Sequence, residues 1–249
     1  MKYLGAAMAA VLATVAGMDA ARADHKVYSP IVEQGVLEFE ARAHRTIDGS
    51  ADKNDAQKQK YEIGYGVNSW WFTSLFGELE KEPQSDLRYT ATAWENIFQL
   101  TPQGKYWADI GLYFEYAKSS IRNEPDEFEF KLLLEKDVRP LVLTANLIFN
   151  RDIGHNAGQG VGFEYALRAN YPWRRALQFG VEAFGEPGRL TGFDPLSEQQ
   201  HIIGPVISGK FNVTGVKGAF GYEVGYLFGV TPGSPAGTVK GVLEYEVPF

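Results

Sequence analysis

The sequence predicts an all-β chain folded as one transmembrane, antiparallel, up-and-down β-barrel of about twelve strands. Three observations lead to it. Apolar and polar residues alternate through segments mostly about eleven residues long, the length of a tilted strand crossing a bilayer rather than the five or six residues usual in soluble sheets. The connections between segments alternate between short turns and mostly longer polar loops. Four of the five Trp fall at the short-turn end.

The chain opens on a segment that reads as a secretory signal: Lys2 is its positive start, Tyr3 to Met18 its nearly uncharged stretch, and Ala21-Arg22-Ala23 an A-x-A cleavage site. Residues 1–23 are therefore expected to be removed near Ala23, leaving one barrel domain over 24–249. The full chain carries a net charge of -7, and loss of Lys2, Asp19 and Arg22 makes it one unit more negative. That balance, with no basic patch, argues against a nucleic-acid partner. Cysteine is absent, which excludes disulfides, a Cys-attached lipid, thiolate metal sites and a Cys nucleophile. After the signal no apolar run is long enough for a helical span, while 27 Gly and 14% aromatic residues suit strands.

Taken in order, the strands are expected at 35–46, 58–68, 71–82, 87–100, 105–118, 127–137, 141–151, 161–171, 176–187, 199–211, 217–229 and 238–249. The short connections are Asn68 to Trp70, Thr101 to Gly104, Val138 to Pro140, Pro172 to Arg175 and Asn212 to Val216. The longer ones are Ile47 to Gln57, Ser119 to Asp126, Asp152 to Gly160, Gly188 to Glu198 and Val230 to Gly237, with Pro83 to Asp86 a brief exception. This order fits short periplasmic turns, longer outer loops and both termini on the periplasmic side. Trp70, Trp71, Trp107, Trp173 and Phe249 then form an aromatic girdle at the periplasmic interface. The competing reading makes them core aromatics of a soluble sandwich.

Each strand offers two faces. The first sets Leu37, Phe39, Ala41 and Ala43 against Glu38, Glu40, Arg42 and His44; the eighth sets Phe163, Tyr165, Leu167, Ala169 and Tyr171 against Glu164, Arg168 and Asn170. Apolar sets suit lipid and charged sets a wet lumen, since an Arg or Lys facing lipid at mid-membrane costs about 2 to 4 kcal/mol. The expected lumen-lining residues are Glu38, Glu40, Arg42, Lys60, Glu62, Glu78, Glu80, Arg88, Glu115, Glu129, Lys131, Glu164, Arg168, Glu182, Glu223, Lys240, Glu244 and Glu246. Acid outnumbers base. Such a lining fits either a channel that favours cations and polar solutes or an ion-pair ladder filling a narrow barrel.

No catalytic, cofactor or metal site emerges. Same-face pairs such as Glu38 and Glu40, or Glu244 and Glu246, lie about 7 Å apart on any strand, so their spacing says nothing specific. His25, His44, His155 and His201 are scattered without metal spacing, and His201 and Ser208 have opposite parity on one strand. Gly204 to Lys210 imitates a phosphate loop but lies in a strand and ends on Phe211 where Ser or Thr is needed. Asp48, Ser50, Asp52 and Asn54 have calcium-loop spacing, yet Lys53 stands in place of the turn Gly and Gln59 in place of the closing Glu.

With these features the sequence resembles a proteobacterial outer-membrane β-barrel, and its end, Val-Lys-Gly-Val-Leu-Glu-Tyr-Glu-Val-Pro-Phe, resembles the insertion signal such proteins present to the barrel-assembly machinery. Pro248 departs from that pattern at the cost of one ladder bond. The resemblance implies Sec export, outer-membrane lipid around the barrel, and similarity to porin-like proteins that take up small organic solutes, including those found with aromatic-degradation pathways. The expected function is passive diffusion of ions or small polar or organic solutes through a charged lumen. Two alternatives are a non-conducting structural or adhesive barrel and an outer-membrane lipid hydrolase.

Overall fold

The computed structural model describes residues 25–249; the signal segment expected at 1–23 lies outside them. The elements are β1 (Val36–Ile47), β2 (Gln57–Asn68), β3 (Trp71–Lys81), β4 (Arg88–Gln99), β5 (Asp109–Ser119), β6 (Asp126–Val138), β7 (Leu141–Ile153), β8 (Gly162–Arg174), β9 (Leu177–Arg189), β10 (Gly192–Phe193), β11 (Gln200–Phe211), β12 (Ala219–Gly229) and β13 (Gly237–Pro248). Twelve form a closed antiparallel wall, each paired with its chain neighbour and β13 returning to β1. The two-residue β10 only extends β9 into a loop hairpin, so β9 pairs next with β11. Closure leaves no wall strand with an unpaired edge, the condition for backbone to lie in hydrocarbon.

Wall strands of 11 to 13 residues, rising about 3.3 Å per residue at a tilt of about 40°, cover roughly 28 Å, close to the height of an outer-membrane apolar band. Most strand ends agree with the alternation. The largest difference is at the fifth strand, which starts at Asp109 rather than at 105. There the Asp109 carboxylate accepts the Gly104 amide at 2.6 Å, and Leu100 to Ala108 form a longer turn than Thr101 to Gly104 alone.

The two faces are inverted relative to a soluble protein. Outward positions carry exposed Phe39, Tyr61, Ile63, Leu75, Trp94, Leu143, Leu167, Val181, Ile203, Val224, Phe228 and Leu243, and inward positions carry buried Glu40, Arg42, Lys60, Glu62, Glu95, Lys131, Glu182 and Lys240. Water-soluble monomers rarely expose an apolar surface that continuous, and lipid is the solvent that makes it favourable. Phe114, Phe130, Phe149 and Phe163 stand directly opposite one another across β5 to β8 with ring centres 5.2 to 6.0 Å apart.

Trp70, Trp107, Trp173 and Phe249 are exposed at the short-turn end. Trp71 stacks on Trp70 and Phe98 there and donates its indole N–H to Asn96 at 3.0 Å.

Candidate functional site

The lumen is the candidate site, and a piece of this same chain lies inside it. Residues 25–34 precede β1 and run back up the interior. Gly35, at φ 73°, makes the left-handed turn between this segment and the wall. Its amide donates to the Gly66 carbonyl and its carbonyl accepts the Phe249 amide, both at 2.7 Å, so the turn is clamped at the mouth where the chain ends.

From that mouth inward, the Val32 amide donates to the Gln99 side chain at 2.9 Å. Pro30 passes over Gly111, where any Cβ would lie 2.8 Å from the proline Cβ. Asn146 then holds both backbone polar groups of Tyr28: its Oδ1 accepts the Tyr28 N–H and its Nδ2 donates to the Tyr28 carbonyl, each at 2.8 Å. The Tyr28 ring packs with Tyr113, Ile97 and Leu133, and its hydroxyl donates to Glu95 at 3.3 Å and accepts from Arg42 at 3.1 Å. Lys131 places its ammonium 4.2 Å from the ring centres of both Tyr28 and Tyr113. Val27 packs with Ile148, Ala166, Phe184, Ile202 and Leu227. At the top, the His25 ring meets His44 at 4.2 Å and Phe184 at 5.2 Å.

Two ion-pair networks flank this segment. In the first, the Lys26 ammonium lies 2.7 Å from Glu40, which also pairs with Arg42, and Arg42 bonds Glu62 at 2.6 Å. Glu38, Glu40 and Glu244 bring carboxylate oxygens within 4.8 Å of one another, and Lys26 supplies a cation there. In the second, Arg168 of β8 bonds Glu182 of β9 and Glu223 of β12, and Lys240 of β13 reaches the same two carboxylates at 2.7 and 2.8 Å.

The remaining lining residues divide by height. Lys58 bridges Glu78 and Glu80 at 3.1 and 2.8 Å, and Lys60 reaches Glu78 at 3.4 Å. With Glu115, Glu127 and Glu129, Lys58, Lys60 and Glu78 line a chamber of about 100 Å³ toward the long-loop end. Lys131 also pairs with Glu129 at 3.0 Å, and Glu164 accepts from Asn150 at 2.5 Å. Glu246 pairs with Lys210 near the short-turn end. Arg88 stands at the long-loop mouth, half-exposed, with Glu82 and Glu124 at 3.8 and 3.9 Å.

Parity counting missed Glu95. A bulge opposite Glu78 and Leu79 adds a residue to β4, so Thr90 and Ala91 are both buried and the inward set switches from even to odd positions. Glu95 thereby becomes fully buried and accepts the hydroxyls of Tyr28 and Tyr113. Side-chain alternation across residues 88–99 carries no sign of that extra residue. Residues 25–34 have no strand period to mark them as part of the interior either.

The weaker motifs find structural partners. The Asp48 carboxylate accepts the Ser50 and Ala236 amides at 2.7 Å, and Asn54 accepts the Asp48 amide at 3.1 Å, so the calcium-like spacing forms a loop-to-loop tie. His201 faces outward with Tyr165 at 2.9 Å on one ring nitrogen and Gln199 at 2.8 Å on the other.

No protein-family model matches the chain, and no curated protein matches it. Among solved structures it is similar to the "KdgM porin", at 11% identity and a TM-score of 0.51, over 85% of this chain and 99% of that one. It is also similar to "KdgM porin in complex with disordered oligogalacturonate", at 11% identity and a TM-score of 0.49, over 86% and 99% of the two chains. At this identity the first likeness is one of fold: the barrel is built as an outer-membrane porin is built.

Proposed function

We propose that the chain is a porin-like channel of a Gram-negative outer membrane, passing ions or small polar or organic solutes by diffusion through a charged lumen that favours cations. The observation that carries this reading is the inversion of the two faces: an exposed apolar band encloses an interior of ionisable side chains in which carboxylates outnumber cations. A ring of carboxylates in a low-dielectric wall selects permeant ions by field as well as by size. The chamber lined by Lys58, Lys60, Glu78, Glu115, Glu127 and Glu129 is the entry vestibule from the long-loop side. Tyr28, Glu95, Tyr113 and Lys131 form the constriction beneath it.

In this reading residues 1–23 leave after Sec export, the terminal strand ending on Phe249 is the signal read by the barrel-assembly machinery, and Trp70, Trp71, Trp107, Trp173 and Phe249 sit at the periplasmic lipid interface. The protein is a conduit rather than a catalyst. His201 is occupied on both ring nitrogens, and Ser234 meets it only through its backbone, accepting the amide and donating to the carbonyl.

The purified barrel in planar bilayers tests this. Cation-over-anion permeability above one is expected, falling toward one in E115Q and E129Q. A folded barrel that passes no ion with or without residues 25–34 defeats the channel. That result would instead favour a non-conducting structural barrel, the reading to which the segment-filled, ion-paired lumen otherwise lends weight.

A further inference from the structure

A twelve-strand barrel stands between narrow eight-strand barrels, which wall side chains can fill, and sixteen-strand porins, which hold a water channel. In this barrel residues 25–34 lie among the side chains of the lumen wall. The wall is complete without them: every wall strand is paired on both sides by another wall strand, so the segment completes no ladder. The groups that hold it belong to a binding site. Asn146 reads the backbone N–H and C=O of one residue, Tyr28, and Gln99 reads a second amide at Val32, contacts that depend on backbone rather than on side-chain identity. Glu40, with Glu38 and Glu244 beside it, receives an ammonium. Tyr113, Ile97 and Leu133 receive an aromatic ring, and Glu95 its hydroxyl. Gly111 leaves the space in which Pro30 lies.

We propose that the lumen contains a binding site for an extended peptide that carries an ammonium and an aromatic ring two residues apart, and that His25–Gln34 is its tethered resident, closing the channel until it withdraws or is displaced by a solute of the same chemistry. The functional consequence rests on the channel reading; the site itself does not. Withdrawal breaks the contacts to Asn146, Gln99, Glu40 and Glu95 and leaves the strand pairing of the wall intact, with Gly35 as the hinge at the mouth.

The test uses the refolded barrel lacking residues 25–34 and a fluorescein-labelled synthetic peptide of sequence HKVYSPIVEQ. Fluorescence anisotropy reads binding and bilayer conductance reads closure. The truncated barrel is expected to bind the peptide, to conduct several-fold more than the full chain, and to close again when peptide is added. A peptide with Glu in place of Lys should bind at least about tenfold more weakly, since a like charge then meets Glu38, Glu40 and Glu244. Folding is checked by heat-dependent gel mobility. If truncation prevents folding, the full-length variant N146L carries the test, with a rise in protease cleavage within residues 25–34 expected. A folded truncated barrel that binds no peptide overturns the proposal, as does an N146L segment cleaved no faster than wild type. Peptide binding without conductance in any form upholds the site and defeats the channel, so the two failures are separable.

Discussion

The lumen contains two buried ion-pair networks of similar composition and opposite dependence. Arg168, Glu182, Glu223 and Lys240 all belong to the wall, and Arg168 reaches from β8 past β9 and β11 to β12. Lys26, Glu40, Arg42 and Glu62 combine wall strands β1 and β2 with the inner segment, and Arg42 also touches the Tyr28 hydroxyl. The first network ties wall to wall; the second ties the wall to something that can leave. Identical charges thus serve rigidity on one side of the barrel and docking on the other.

The strongest way to break this contrast is K240M. Removing that ammonium leaves the fully buried Glu182 with Arg168 alone, and loss of one partner of a buried ionic group costs about 3 to 5 kcal/mol. A lowered urea midpoint for the folded barrel in detergent, with local exchange in residues 25–34 unchanged, is the expected outcome. Replacing all four members, as R168M/E182L/E223L/K240M, should restore most of that loss, because no charge is then left buried without a partner. A quadruple variant as unstable as K240M would show that the network does more than neutralise itself.

E40Q should act the other way. It weakens the Lys26 contact while Arg42 keeps Glu62, so the barrel loses about 1 to 3 kcal/mol at most. Amide exchange at residues 26 to 29 should nonetheless rise about tenfold or more. Equal effects of E40Q on segment and wall would erase the distinction between the networks.

The smallest effect lies outside the membrane. The Asp48 carboxylate is held below its ordinary value of 3.8 by the amides of Ser50 and Ala236. A depressed carboxylate stabilises fully above its ordinary pKa and loses that contribution as pH falls through the lowered value. Exchange of the Ala236 amide, corrected for the intrinsic pH dependence, should therefore be flat from neutral pH to about 4 and quicken below it.

Much of the wall was legible because its signal is local. In β1, β2, β8 and β13 the charged and apolar sets alternate through most of the strand, and Glu38, Glu40, Arg42, Lys60 and Glu62 share the inward parity of their strands. The bulge in β4 shows where that logic ends. One extra residue reverses the face of everything after it, and Glu95 moves inward with no change in composition to announce it. Arg88, before the bulge, keeps its inward parity but reaches only the mouth, where its partners come from loops. Residues 25–34 were less legible still. Their place is fixed by Asn146, Glu95 and Phe184, distant in sequence and brought together only when the barrel closes.

The sequence by itself determined the strands, their two solvents and the even-numbered closure, because a period of two and its punctuation are properties of neighbouring residues. Only the tertiary structure decided which charges pair across the lumen, which face Glu95 takes and what fills the interior. Those depend on register and circumference: a twelve-strand wall brings β8 to within reach of β12 and encloses residues 25–34, and neither is written in any single strand.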